Sequence, residues 1–213
     1  ADDHDRAGAV AGTTLSSPVM RVTAITPEAQ PLLRWRNGGG FTREIVRVGA
    51  EDAFLWRASI AQIDTNGAFS AFPGYRRWTC LLDGGPLALA FDDGRWHDLA
   101  PRMRAHTYPG APAPNAELAG EFARVFNLIV AERLSAAQLL PRPLVGSMVI
   151  FDQTDTDWLV YLLGGQAELR LGEQRHWLSP GHALLLEGEG SGARAVLDGG
   201  GEVVLVKIVG AQG

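Results

Sequence analysis

Two stretches of this chain can be laid on one another. Leu81-Leu-Asp-Gly-Gly-Pro-Leu-Ala-Leu-Ala-Phe-Asp-Asp-Gly-Arg-Trp-His-Asp-Leu-Ala-Pro101 and Leu162-Leu-Gly-Gly-Gln-Ala-Glu-Leu-Arg-Leu-Gly-Glu-Gln-Arg-His-Trp-Leu-Ser-Pro180 follow one plan. Each reads as strand, glycine turn, alternating strand, polar hairpin turn and a short strand ending Leu-x-Pro. A hairpin unit that recurs in this way implies duplicated β-units rather than a solenoid. The surrounding sequence agrees. In Phe54-Leu-Trp-Arg-Ala-Ser-Ile60 the residues Phe54, Trp56, Ala58 and Ile60 share one face, and Leu55, Arg57 and Ser59 share the other. Further strands are expected at 41–48, 77–82, 87–91, 125–130, 147–151, 158–163, 167–171, 183–186, 193–197 and 202–209. Helical signals are confined to a short turn within 26–33 and a short helix at 132–140, closed by Pro141 and Pro143. Many short strands with glycine punctuation predict a sandwich or barrel.

Composition narrows the function classes. With 24 acidic and 19 basic residues the chain carries a net charge of −5, the wrong sign for a nucleic-acid partner. Lys207 is the only lysine, so the remaining cations are arginines, whose planar fork suits bidentate binding of carboxylates. No stretch approaches the ~20 apolar residues of a membrane span. The start, Ala1-Asp-Asp-His-Asp-Arg6, lacks the basic opening of a signal peptide. A soluble cytoplasmic protein without a membrane partner is expected. Residues 1–18 are small, polar and aperiodic, and read as a disordered leader or expression remnant. The lone Cys80 lies in an apolar run and is expected to be a core residue.

The least generic segment is Arg34-Trp-Arg-Asn-Gly-Gly-Gly-Phe-Thr-Arg-Glu-Ile45. Three successive glycines cost conformational entropy, which favours them only where the backbone takes unusual dihedrals or approaches another group closely. Arg36, Asn37, Thr42 and Glu44 flank them and all can hydrogen-bond a polar ligand. A tight loop whose glycines serve packing alone is the competing reading. Arg57 and Ser59, opposite the apolar face of their strand, point to solvent or to a barrel lumen. A lumenal arginine requires a partner such as Glu44 or an anionic ligand. In Gly67-Ala-Phe-Ser-Ala-Phe-Pro-Gly74, Phe69 or Phe72 offers an apolar wall, with a core aromatic as the alternative.

The second hairpin copy continues into Pro180-Gly-His-Ala-Leu-Leu-Leu186 and resembles the cupin signature. That resemblance implies an all-β chain of two jelly-roll (double-stranded β-helix) barrels, a bicupin with very short helices. The expected division is 19–130 for the first barrel and 131–213 for the second, with strands exchanged between the halves. The ordered motifs Trp35–Ile45, Trp56-Arg-Ala-Ser-Ile-Ala61, Gly67–Gly74 and Phe126-Asn-Leu-Ile129 resemble those of the HutD/Ves family. The resemblance implies a bacterial cytoplasmic bicupin associated with histidine utilisation, binding a small pathway metabolite in a regulatory capacity, with no catalytic activity firmly attached. Carried over by position, it implies a ligand site of Arg36, Asn37, Thr42, Glu44, Arg57, Ser59, Ser70, Phe72 and Asn127. Where the family motif commonly has an acid before Phe-Asn, this chain has Val125, so no carboxylate role is carried there.

No His-x-His pair is present among His4, His97, His106, His176 and His182, so no metal or other cofactor is expected. A site built from His97, His106 and Glu117 is the atypical alternative. Nucleophile-elbow and phosphate-loop patterns are absent from the sequence. The leading expectation is a metal-independent binding protein for a small anionic metabolite, with formylglutamate or urocanate as candidates. In it Arg36 or Arg57 clamps a carboxylate, Asn37, Thr42 and Ser59 orient it, and Phe72 covers its apolar part. The alternative is a cofactor-free isomerase or hydrolase with Glu44 as base, aided by Asp64 or Glu117. Jelly-roll chains often pair through edge strands, so a homodimer is a further expectation.

Overall fold

The computed structural model describes residues 20–134 and 136–211; the expected leader lies outside them. The chain opens with β1 (Arg21–Ile25), one 3₁₀ turn (Pro27–Ala29), β2 (Leu32–Arg34), β3 (Gly40–Gly49), β4 (Phe54–Ile63) and β5 (Gly67–Ala68). There follow β6 (Tyr75–Gly84), β7 (Leu87–Ala90), β8 (Trp96–Asp98), β9 (Ala105–Pro109), β10 (Asn115–Leu118) and β11 (Ala123–Ala131). The last five are β12 (Ala136–Phe151), β13 (Thr156–Leu171), β14 (Gln174–Leu178), β15 (Ala183–Glu187) and β16 (Arg194–Val209). A six-stranded sheet in the order β2-β3-β4-β11-β6-β9 faces a four-stranded sheet, β5-β10-β7-β8. A second six-stranded sheet runs β1-β15-β13-β16-β12, with β14 paired to β13. All pairings are antiparallel, and β1 reaches across the chain to pair with β15.

Strand alternation sorts the apolar side chains into three interiors. Ala61, Ile63, Leu81, Leu87, Leu89 and Val125 fill the space between the first two sheets. Val160, Leu162, Leu169, Leu184, Leu197 and Val203 fill the interior of the C-terminal sheet. Between these units lies a shared core, in which Trp56, Ala58, Ile60, Cys80 and Phe126 meet Leu159, Tyr161, Leu185, Val204 and Val206. Burial there pushes the Cys80 thiol up to about 12, which leaves it a small hydrophobe.

The repeated hairpins fold alike but are joined differently. Leu89 lies opposite His97 in the β7–β8 hairpin, and Leu169 lies opposite His176 in the β13–β14 hairpin. In the first copy the glycine turn separates β6 from β7, which belong to different sheets. In the second the strand runs through its glycines as one bent element. A Cβ on Gly165 would lie 1.9 Å from the Gly200 carbonyl oxygen, so the bend requires glycine at that crossing. The expected breaks at 164–166 and 198–201 are therefore bends within β13 and β16.

The expected helix at 132–140 is not formed. A turn over 132–134 leads into β12, whose Ala136–Leu140 pair with Val209–Leu205 of β16. Ala137 and Leu139 alternate into the shared core, a period-2 burial that no helix would supply. Pro141 and Pro143 are tolerated because β12 is an edge strand with no ladder donor to lose on its free side.

Asp152, at the end of β12, gathers the loops of the C-terminal unit. Its carboxylate accepts the backbone N–H groups of Met20 at 3.2 Å, Glu189 at 2.8 Å, Gly190 at 3.0 Å and Ser191 at 3.0 Å, and the Ser191 hydroxyl. Burial pushes its pKa up, but the Ser191 hydroxyl and the N–H groups of Gly190, Ser191 and Glu189 outweigh it and hold the carboxyl below its ordinary value. A depressed folded pKa gives stability that is fully present above the unfolded value and lost as pH falls through the folded one. Asp152→Asn is expected to lower the unfolding free energy by about 2–3 kcal/mol at neutral pH. In urea titrations the gap to wild type should begin to narrow as pH falls below roughly 4 and go on narrowing through the depressed folded pKa.

Candidate functional site

The inner face of the first six-stranded sheet carries two polar rungs where the four-stranded sheet does not cover it. Register places Glu44, Ser59, Asn127, Thr79 and His106 side by side across β3, β4, β11, β6 and β9. The next rung holds Arg47, Arg57, Ile129, Arg77 and Tyr108. A bulge between Glu44 and Val46 inserts one residue into β3, so both Glu44 and Arg47 share this face while Ile45 turns into the shared core. Above the rungs is a cavity of about 580 Å³, a size suited to a small metabolite. Its floor is Arg57, Ser59, Ala61, Arg77, Asn127 and Ile129. Leu33–Asn37 and Thr42 form one wall, and Ala68–Ser70 with Phe72 form the other.

Arg77 is the least ordinary group in this floor. Only 4% of its surface is exposed, and no carboxylate of the described residues pairs with it. Its Nη1 donates to the Ser70 carbonyl at 3.0 Å, and Nε has no partner. The guanidinium carbon lies 5.0 Å from the Phe69 ring centre, 5.6 Å from that of Phe72 and 5.5 Å from that of Tyr108. Three aromatic faces offset part of the desolvation of this cation. Burial still presses its pKa down from the ordinary arginine value, although an arginine stays charged at neutral pH. A buried charge without a counterion is a standing demand for an anion.

Arg57 is handled differently. Its Nε lies 2.7 Å from Glu44 Oε2, and Arg47 Nη2 donates to the same oxygen at 2.7 Å. Burial lowers the Arg57 pKa while the Glu44 charge raises it, and burial prevails. One carboxylate thus serves two cations, and with Arg77 the two rungs carry three positive charges against one negative. Glu44 is spent on this pairing and is not among the residues lining the cavity.

A buried relay sets the polarity of the central floor. Thr79 Oγ donates to Asn127 Oδ1 at 2.9 Å, and Thr79 and Tyr108 hydroxyls are 2.7 Å apart. Thr79 has one proton and gives it to a carbonyl that has none, so the Tyr108 hydroxyl donates to Thr79. The reverse order would strand the Tyr108 proton, because no other acceptor of the described residues reaches it. An unsatisfied buried donor costs about 1–3 kcal/mol. The relay therefore turns the Asn127 amide nitrogen away from Thr79, on a residue that borders the cavity.

The glycine triplet closes the β2–β3 hairpin at the mouth. Gly38 adopts φ +72°, and a Cβ on Gly40 would fall 2.0 Å from the Gln62 carbonyl oxygen. The backbone thus explains Gly38 and Gly40, as the packing reading held, and the same turn carries Arg36 and Asn37 to the rim. Asn37 Oδ1 accepts the Gly39 N–H at 3.0 Å, and Trp35 Nε1 donates to Thr42 Oγ at 2.9 Å. Of the nine expected site residues, Arg36, Asn37, Thr42, Arg57, Ser59, Ser70, Phe72 and Asn127 line the cavity and Glu44 stands behind Arg57. The structure adds Arg77, Thr79 and Tyr108 to these residues. The signal for Arg77 and Thr79 lies in Arg77-Trp-Thr-Cys-Leu-Leu82, which alternates as 54–60 does and puts both opposite the apolar Trp78, Cys80 and Leu82; nothing local marks Tyr108.

Other groups converge less. His97 and His106 have ring centres 5.9 Å apart, but Glu117 is exposed on β10, and no group of three metal-ligating side chains occurs among the described residues. A hollow of about 610 Å³ at the bend of the C-terminal sheet is lined by Gly165–Glu168, Trp177 and Asp198–Gly200. Its carboxylates are already engaged, Glu168 with Arg175 and Asp198 with Ser147. No helix of the described residues is long and apolar enough to cross a membrane.

A model of the HutD family matches residues 27–205. The chain belongs to the HutD family. Protein Ves of Cronobacter sakazakii is 34% identical over 172 residues, 75% of this chain and 90% of that protein. An uncharacterised protein encoded 3′ of hutC in Pseudomonas putida is 40% identical over 111 residues, which span 51% of this chain and only 58% of the relative. The family is thereby linked to the histidine-utilisation locus. A conserved protein of unknown function from Pseudomonas aeruginosa PAO1 superposes with a TM-score of 0.79 at 27% identity, covering 89% of this chain and 98% of that one. Oxalate decarboxylase of Bacillus subtilis matches at TM-score 0.59 and 9% identity over 94% of this chain and 80% of its own. The fold is the all-β jelly roll of the cupins.

Glu44→Gln removes the charge that holds Arg47 and Arg57 together and leaves two like charges adjacent on one rung. A loss of about 1–3 kcal/mol in urea unfolding is expected, with part of it recovered in the Glu44→Gln, Arg47→Met double variant.

Proposed function

We propose that this protein binds a small anionic metabolite in the N-terminal cavity, without a metal, and serves as a sensor or regulator in histidine utilisation. The observation that carries the reading is the buried, carboxylate-free Arg77 in its aromatic cage at the floor of a metabolite-sized cavity. A carboxylate supplies the charge that Arg77 lacks. Arg57, held in place by Glu44, gives a second cationic contact, and Ser59, Thr42 and Asn127 supply hydrogen bonds. Phe69 and Phe72 cover an apolar part. Formylglutamate and urocanate, both carboxylates, are the candidates to test first, and the link of the family to the histidine-utilisation locus supports that choice. On this reading the two β-units are a pair of cupin barrels, of which the first is the receptor and the second its support. The alternative of a hydrolase or isomerase using Glu44 as base has less support, because that carboxylate is engaged by two guanidiniums outside the cavity lining.

The test is thermal unfolding with and without ligand. A ligand at 100 times its dissociation constant adds about 2.7 kcal/mol to the stability of the folded protein. Arg77→Met removes a buried unpaired charge while keeping an apolar stem. The variant is expected to melt no lower than wild type in the absence of ligand and to show no ligand-induced shift. A full shift in Arg77→Met with either candidate would remove Arg77 from the site.

A further inference from the structure

We propose that Thr79 acts as a positioning residue that makes the Asn127–Arg77 part of the cavity floor a donor-only subsite, which accepts a carboxylate and turns away the corresponding carboxamide. The proposal rests on the reading of the cavity as a small-anion site and adds to it the means of discrimination.

The argument follows the protons. A side-chain amide is normally ambivalent, since a half-turn about its last bond exchanges oxygen for nitrogen at nearly unchanged shape. Asn127 loses that freedom because Thr79 donates to its oxygen at 2.9 Å. Thr79 in turn has no choice, because the Tyr108 hydroxyl, 2.7 Å away, has only Thr79 to donate to among the described residues. Tyr108 is 1% exposed and Thr79 fully buried, so water does not substitute for either partner. The outcome is an amide whose acceptor is occupied and whose N–H groups are left for the cavity. The adjoining rung places the Arg77 guanidinium, which has donors and no acceptor, beside it. Tyr108 spans the two, with its ring against Arg77 and its hydroxyl donating to Thr79. A carboxylate is acceptor-only and is satisfied by such a floor. A carboxamide of the same shape brings an N–H₂ that meets only donors at Asn127 and Arg77. Charge alone would favour any anion; the fixed amide adds selection by hydrogen-bond polarity.

Calorimetric titration of the full chain with N-formyl-L-glutamate and its two monoamides, N-formyl-L-glutamine and N-formyl-L-isoglutamine, tests this. Wild type is expected to bind the diacid at least about tenfold more tightly than the monoamide altered at the Arg77 end. Tyr108→Phe keeps the ring against Arg77 and leaves Thr79 donating to Asn127, its one remaining acceptor among the described residues, whereas Thr79→Val removes the donor, so that Asn127 can flip. In Thr79→Val the preference for the diacid over that monoamide should fall about fivefold, with the other ratio unchanged. Tyr108→Phe and Thr79→Ser, which both retain a hydroxyl at position 79, should keep the wild-type ratio. A ratio unaltered in Thr79→Val overturns the proposal, whatever happens to absolute affinity. Equal binding of diacid and monoamides by wild type overturns it as well, while leaving the small-anion reading intact. Failure of wild type to bind any of the three overturns both.

Discussion

The packing of Trp56, Ala58 and Ile60 against Leu159, Tyr161 and Val206 of the C-terminal unit is what aims Arg57 and Ser59 into the cavity. In a pleated strand the two faces cannot be assigned independently, and a slip of one residue exchanges them. Burying the aromatic and aliphatic set on one side commits the guanidinium and hydroxyl to the other. The same coupling acts on β6, where Trp78, Cys80 and Leu82 enter the shared core and Arg77 and Thr79 are carried inward. Two apolar faces pressed together thus orient a polar floor on the far side of the sheet.

That floor is arranged so that one cation is compensated and one is not. Glu44 neutralises the crowding of Arg47 and Arg57, which lie opposite each other on neighbouring strands. Without it the rung would hold like charges at cross-strand distance, a destabilising arrangement. Arg77 receives a carbonyl and three rings instead of a carboxylate. Aromatic faces attract a cation but do not cancel its field, so the floor keeps a positive potential that a paired arginine would lose. On the proposed reading, an anion entering the cavity would meet a preformed site and need displace no internal partner, a form of preorganisation. The cost is carried by the folded protein in the absence of ligand, which is where the stability of Arg77→Met becomes informative.

Much of this was legible in the sequence, and the missing parts share a cause. The alternation of 54–60 states which residues turn inward, and the glycine-flanked motif supplies the rim. The hairpin repeat and the short strands give the all-β class. What periodicity does not carry is information that depends on partners distant in sequence. The strand at 136–140 exists because β16 pairs with it, and its prolines are permitted because it lies at an edge; within 132–143 alone those prolines read as a helix stop. The bends of β13 and β16 read as turns, since glycines that allow a crossing look like glycines that end a strand. The relay from Tyr108 through Thr79 to Asn127 joins three strands, and no local pattern announces it. Arg77 obeys the alternation rule but lies outside the family-like motifs at 34–45 and 56–61.

The duplication explains why one interior is hollow. Continuing the hairpin correspondence upstream from Leu81 and Leu162 aligns Trp78 with Leu159 and Cys80 with Tyr161, and all four contribute to the shared core. The intervening positions align Arg77 with Trp158 and Thr79 with Val160. In the C-terminal unit these side chains, with Leu162, Leu169 and Leu197, pack into an apolar interior. Both copies therefore use the same strand face to join the units and the opposite face to line their own interiors. The first spends that inner face on an arginine, a threonine and the asparagine they flank, and the second on tryptophan and valine. Exchanging polar for apolar residues on the inner face leaves the joining face untouched, so one unit can be hollow while its twin is filled and the union between them is preserved. A cavity in the N-terminal unit and a packed interior in the C-terminal one are then two outcomes of a single strand pattern.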